Sequence, residues 1–174
     1  MGPAENTKIP NHERNRRGDR CDQTGSHRIH AEFKRYKVQL KALHANLQES
    51  VECDQIIVSA KIKGPSGCPY EGGFFKIDLS LPSNYPYLPP EVRFLPNLFH
   101  LNVGLDGILS EDLLRALWTP DTTIVDLVNN IITPLLVKPN FDNIENVDAS
   151  DLFLRDQMKY LENVRDCVQK SKGE

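Results

Sequence analysis

The sequence predicts an α+β domain: an antiparallel sheet meander flanked by an N-terminal helix and C-terminal helices. Three observations point to it. Ile29, Phe33, Tyr36, Leu40, Leu43 and Leu47 recur at helical spacing. Strict alternation then replaces that period in three short runs. A helical period returns after Thr122 and lasts to Val168.

Residues 1–26 are rich in Gly, Pro, Asn, Arg and Asp with no apolar period, and are expected to form a flexible N-terminal tail. Residues 27–172 are the expected core domain. Ser26 suits a helix N-cap, and the apolar face from Ile29 to Leu47 predicts about five helical turns. Lys34, Arg35, Lys37 and Lys41 lie on the rest of that surface. Ile56, Val58, Ala60 and Ile62 alternate as in a half-buried strand, and Gly64-Pro65-Ser66-Gly67 is a turn. Phe75, Ile77, Leu79 and Leu81 form the second strand, and Val92 and Phe94 the third. Tyr85-Pro86 and Pro89-Pro90 predict a rigid, extended connection between them.

Residues 95–121 lack a period until Leu113, Leu114 and Leu117. Thr122 or Thr123 then caps a helix with Ile124, Leu127, Val128, Ile131 and Leu135 on its apolar face. Pro134 falls inside this pattern, so a kink or an early end is expected. Leu152, Met158, Leu161, Val164 and Val168 fit one side of one or two final helices.

Composition narrows the function classes. Apolar residues make up 39% of the chain, enough to build a core, and the net charge of -3 gives no overall drive towards nucleic acid or an acidic membrane. Arg14, Arg16, Arg17 and Arg20 are balanced by nearby acids. No apolar run approaches the ~20 residues of a membrane span, and the first residues resemble neither a secretory nor a transit signal. Cytoplasm or nucleus is the expected location. Cys21, Cys53, Cys68 and Cys167 form no CxxC pair, which leaves a zinc site or redox dithiol little support. Neither a metal nor a small-molecule cofactor is expected.

Five segments carry a family resemblance. Gly64-Pro65 through Pro69-Tyr70-Glu71-Gly72-Gly73-Phe74-Phe75 is similar to the GPxxxPYxGGxF segment of ubiquitin-conjugating enzymes. Tyr85-Pro86-Tyr87-Leu88-Pro89-Pro90-Glu91-Val92-Arg93-Phe94 resembles their YPxxPPxVxF. Phe99-His100-Leu101-Asn102 resembles [YF]HPN, Trp118-Thr119-Pro120 resembles W[ST]P, and Pro139-Asn140-Phe141-Asp142 resembles PNPDD. Order and spacing agree from about residue 27 to 170. The resemblance implies the ubiquitin-conjugating enzyme (UBC-like) fold. Each segment also has an architectural reading: paired glycines allow close approach of strands, and Trp118 anchors a loop.

The resemblance implies chemistry at one cysteine, which carries a modifier as a thioester. Counting from Asn102 and back from Trp118 puts that position at Ser110. A thiol with a pKa near 8.5 is a few per cent thiolate at neutral pH, whereas a serine hydroxyl needs a positioned base. The resemblance implies that His100 serves as a structural hydrogen-bonding residue and that Asn102 stabilises an oxyanion or orders the loop. Asn143 stands where many members carry an acidic residue that orients the incoming lysine. Leu101 replaces the proline of HPN, and Ile144 replaces another proline. The helix around Pro134 is one residue longer than usual. Such drift fits natural loss of activity better than one introduced change, though an introduced serine would leave an active natural enzyme.

Binding can outlast catalysis. RING-type ligases of the family grip positions that correspond here to Arg28, Tyr87 and Pro120, with Asp121 placing a charge where a small residue is frequent. Two readings follow. One is a pseudoenzyme that binds ubiquitin, a ubiquitin-like modifier, a ligase or a partner conjugating enzyme. The other is a transferase carrying modifier on position 110, with cysteine replaced by serine.

Overall fold

The computed structural model describes residues 24–43, 46–50 and 55–172. Cys21, Cys53 and residues 1–23 of the expected tail lie outside them. Helix α1 (Thr24–Arg35) begins ahead of Ser26, which therefore sits within the first turn instead of capping it. Helix α2 (Lys37–Ala42) continues it after a break at Tyr36. Two bonds carry the ladder across: Tyr36 N–H to Glu32 C=O at 2.8 Å, and Leu40 N–H to Tyr36 C=O at 2.9 Å.

The expected helix stops at Leu43. Leu47 fits the helical spacing but belongs to strand β1 (Asn46–Ser50), where it pairs with Val58. Pairing with the strand that follows overrides the local period. Four strands therefore form the sheet where three are legible. β2 (Gln55–Lys63), β3 (Phe74–Leu81) and β4 (Glu91–Leu95) complete an antiparallel meander in the order β1-β2-β3-β4. In β3 the alternation holds: Phe75, Ile77, Leu79 and Leu81 are buried. They join Val58, Ala60, Ile62, Val92 and Phe94 in one core with Ile29 and Leu40 of the first helices.

Two turns differ in detail from expectation. The close backbone approach after β2 is made mainly at Gly64, where an added Cβ would lie 1.8 Å from the Tyr70 carbonyl oxygen. The Tyr85-Pro86 connection is not extended. Tyr85 N–H donates to Pro82 C=O and Tyr87 N–H to Asn84 C=O, each at 2.9 Å, so the chain makes consecutive tight turns.

The aperiodic stretch after β4 is fastened by backbone bridges of Arg93 with Ile108 and Val103 with Leu109. It ends in helix α3 (Glu111–Leu117). Thr123, rather than Thr122, caps α4 (Ile124–Asp126) through a reciprocal box with Asp126. Pro134 does not end the helix. A π-helical segment (Leu127–Ile132) precedes it, and the chain runs on as α5 (Thr133–Val137). Thr133 N–H reaches the carbonyl of Val128, five residues back. That wider turn just before Pro134 eases the proline ring into the helix.

The final helices are α6 (Val147–Arg155) and α7 (Gln157–Ser171). Asp156 separates them and caps the second, accepting the Lys159 N–H at 3.0 Å. Val164 and Val168 join the core as expected, but Met158 is 67% exposed and Tyr160 takes the buried place. The Tyr160 hydroxyl meets that of Tyr70 at 3.0 Å, and Tyr70 donates to Phe99 C=O at 2.7 Å. This pair ties α7 to the segment that leads into the site.

Candidate functional site

Ser110 stands between the bridge to β4 and the first turn of α3. Leu109 N–H donates to Val92 C=O at 2.9 Å, Ser110 N–H to Asn102 C=O at 2.9 Å, and Leu114 N–H to Ser110 C=O at 3.1 Å. The backbone is fully engaged on both sides. The side chain is not. Ser110 is only 2% exposed, and its Oγ has no hydrogen-bond partner among the described residues. It occupies the N-cap position of α3 without capping it.

His100 is fully buried. Its Nδ1 accepts the Asn102 N–H at 3.0 Å, and its Nε2 lies 3.2 Å from the Leu135 carbonyl. Nδ1 accepting fixes the proton on Nε2, so the ring is a neutral imidazole with both nitrogens in use. Burial pushes its pKa down to about 4, against a smaller upward pull from the Leu135 carbonyl. A ring so placed has no free lone pair for a nucleophile.

Asn102 is equally committed. Its Nδ2 donates to the carbonyls of Asn140 and Asn143 at 2.5 and 2.6 Å, and its Oδ1 accepts the Asn140 N–H at 2.9 Å. These three bonds tie Asn102 to the 140–143 loop. Both amide hydrogens are spent on that task. Leu101 adds its backbone oxygen, which accepts from Glu145 at 2.8 Å and Asn146 at 3.0 Å. Its side chain is fully buried where the family's proline would stand. Asn143 enters the site through its carbonyl, as an acceptor for Asn102.

Arg28, Tyr87 and Pro120 converge elsewhere. Arg28 Nη2 reaches the carbonyl of Asp121 at 3.5 Å, next to Pro120. Trp118 Nε1 donates to Pro86 C=O at 2.7 Å, next to Tyr87. Tyr87 is 67% exposed, so its ring fills no internal hollow. Sequence reasoning missed Glu32, a buried carboxylate that binds Arg28 Nε at 2.6 Å. The spacing of four residues on one helix was the available signal.

The remaining candidates are structural. Cys68 is buried with its thiol against the Pro65 carbonyl at 3.1 Å, and burial pushes that thiol up. Among the described residues no group of three or more His, Cys, Asp or Glu side chains is placed to hold a metal ion. No described helix is long and apolar enough to cross a membrane.

Comparison with known proteins matches this geometry to a family. A family model described as ubiquitin-conjugating enzyme covers residues 28–168. Ubiquitin-conjugating enzyme E2 2 of Candida glabrata is 36% identical over 119 residues, which is 68% of this chain and 71% of that protein. Protein PEROXIN-4 of Arabidopsis thaliana is 38% identical over 69% of this chain and 78% of its own length. Ubiquitin-conjugating enzyme E2 S of Dictyostelium discoideum is 34% identical over 76% of this chain, a match that spans 64% of the longer relative. A solved structure from Plasmodium yoelii that bears the same family name superposes with a TM-score of 0.63 at 24% identity, covering 80% of this chain and 94% of that one. At that identity it speaks for the fold. Sequence and fold agree, and the chain belongs to the ubiquitin-conjugating enzyme family as an E2-like protein of the ubiquitin-conjugation pathway.

Proposed function

We propose that this chain is a catalytically inactive member of its family that works by binding. Its partners in this reading are ubiquitin or a ubiquitin-like modifier, together with a RING-type ligase or a partner conjugating enzyme. The observation that carries the reading is the Ser110 hydroxyl, buried and without a partner. Acyl transfer to a hydroxyl requires a base to take its proton. His100 has both nitrogens bound to backbone groups, and Asn102 has its amide bound to the loop. Among the described residues, neither His100 nor Asn102 has a group left to activate Ser110 or to receive an oxyanion. Asn143 adds no negative charge to orient a lysine. The expected cytoplasmic or nuclear location belongs to the same proposal.

One observation favours the transferase reading. A buried thiol tolerates an apolar site without hydrogen bonds far better than a hydroxyl does. The surroundings of Ser110 thus suit cysteine. A loading assay separates the two. The chain and its Ser110→Cys variant are mixed with activating enzyme, ATP and ubiquitin, then with other modifiers, and run with and without reductant. No adduct on either form is the expected result for a binding protein. A thiol-sensitive adduct on the Ser110→Cys variant would support a transferase with a replaced nucleophile. A thiol-resistant adduct on the chain itself would overturn inactivity at Ser110.

A further inference from the structure

Glu32 holds a buried carboxylate that the proposed function does not use. The residue is 4% exposed. Its Oε1 accepts from Arg28 Nε at 2.6 Å and from the Tyr85 hydroxyl at 3.0 Å. Its Oε2 accepts the backbone N–H of Ile124, the first residue of α4, at 3.0 Å. A carboxylate is kept out of water only when donors satisfy it. Here the donors come from α1, from the turn that carries Tyr87, and from the segment that follows Trp118 and Pro120.

A second layer of contacts joins the same parts. Arg28 also reaches Asp121 C=O, and Trp118 Nε1 donates to Pro86 C=O. The Tyr85 and Trp118 rings lie 5.8 Å apart. Under this layer Gly25 meets the turn, where an added Cβ would stand 3.1 Å from Tyr85 O. Arg28 is thus a half-buried strut, with its Nε given to Glu32, while Tyr87 and Pro120 remain exposed.

We infer that Glu32 is a positioning residue, whose carboxylate fastens α1, the Tyr85–Tyr87 turn and the Trp118–Ile124 segment into one preformed binding face. The use of that face by a ligase rests on the proposed function; its assembly by Glu32 does not.

Trp118 is the sole tryptophan of the chain and reports on this cluster. In the full chain, Glu32→Gln is expected to raise acrylamide quenching of Trp118 about twofold and to shift its emission to the red, with far-UV dichroism unchanged. Backbone amide resonances of Tyr87 and Thr119–Asp121 should move. Arg28→Ala should do less, because it removes one of the three donors on the carboxylate together with the long contact to Asp121 C=O and leaves the Tyr85 and Ile124 donors in place. Unchanged quenching and unmoved amides would overturn the inference. Should Glu32→Gln fail to fold, Tyr85→Phe removes one donor and keeps the ring; it should move the same signals in the same direction, and no movement would refute the role. A panel of immobilised RING domains tests the use of the face. Binding by the chain that weakens about tenfold in Glu32→Gln supports both claims. Equal binding by the two overturns the positioning role. Binding by neither removes the ligase reading, and the Trp118 signal alone then decides for Glu32.

Discussion

A buried hydroxyl without a partner costs about 1–3 kcal/mol relative to one that is satisfied. Ser110 carries that cost at the position the family reserves for its thiol. Ser110→Ala should therefore raise stability by about 1 kcal/mol, read from a urea midpoint at pH 7. A clear loss of stability would show that the hydroxyl has a partner in solution. The position itself could be counted from Asn102 and Trp118. Its burial could not, because the atoms that enclose Ser110 come from separate stretches of chain. For Asn102 the bonds it makes depended on where residues 140–143 come to rest.

The loop at 140–146 is the element on which the site depends. Asn102 holds it with three side-chain bonds, and Leu101 C=O holds it with two from its backbone. Asn102→Ala deletes all three side-chain bonds and leaves the part-buried carbonyls of Asn140 and Asn143 without them, a loss of about 2–4 kcal/mol. Hydrogen exchange at Asn140 should accelerate strongly, since its N–H donates to Asn102 Oδ1. Unaltered protection there would mean that the loop is held by other contacts. The helix through Pro134 shows a different limit of element-scale reading. Pro134 announces an irregularity, yet a kink, an early end and a π turn share the same signal. The observed π segment goes with Val128, Ile132, Leu135 and Leu136 all buried. Likewise the period through Leu47 pointed to helix until an edge of β2 was there to pair with it.

At the scale of the molecule, His100 couples the core to pH. Its folded pKa of about 4 lies below the ordinary histidine value near 6.5. Between those values the unfolded chain binds the proton and the folded chain does not, so stability is lost as pH falls through this window. Integrated over the window the loss approaches about 3 kcal/mol. Nitrogen resonances of the His100 ring should report a neutral imidazole protonated on Nε2 at pH 5.5. A charged ring at that pH would contradict both the burial and the proposed locking of the site.

What the sequence determined by itself was local or countable. Alternation in β2 and β3, the helical faces, the Thr-Pro and Gly-Gly punctuation and the distance from Asn102 to Ser110 are properties of neighbours along the chain. They were enough for the fold class and for the family resemblance. Tertiary structure decided the rest, because it concerns groups that meet only after folding. The Glu32 carboxylate finds donors 53 and 92 positions away. Tyr70 meets Tyr160 across 90 positions, and Asn102 meets its loop across 38 to 41. Whether a buried polar group is satisfied or orphaned is a property of those meetings, and so the contrast between a locked Asn102 and an unpartnered Ser110 appears only in three dimensions.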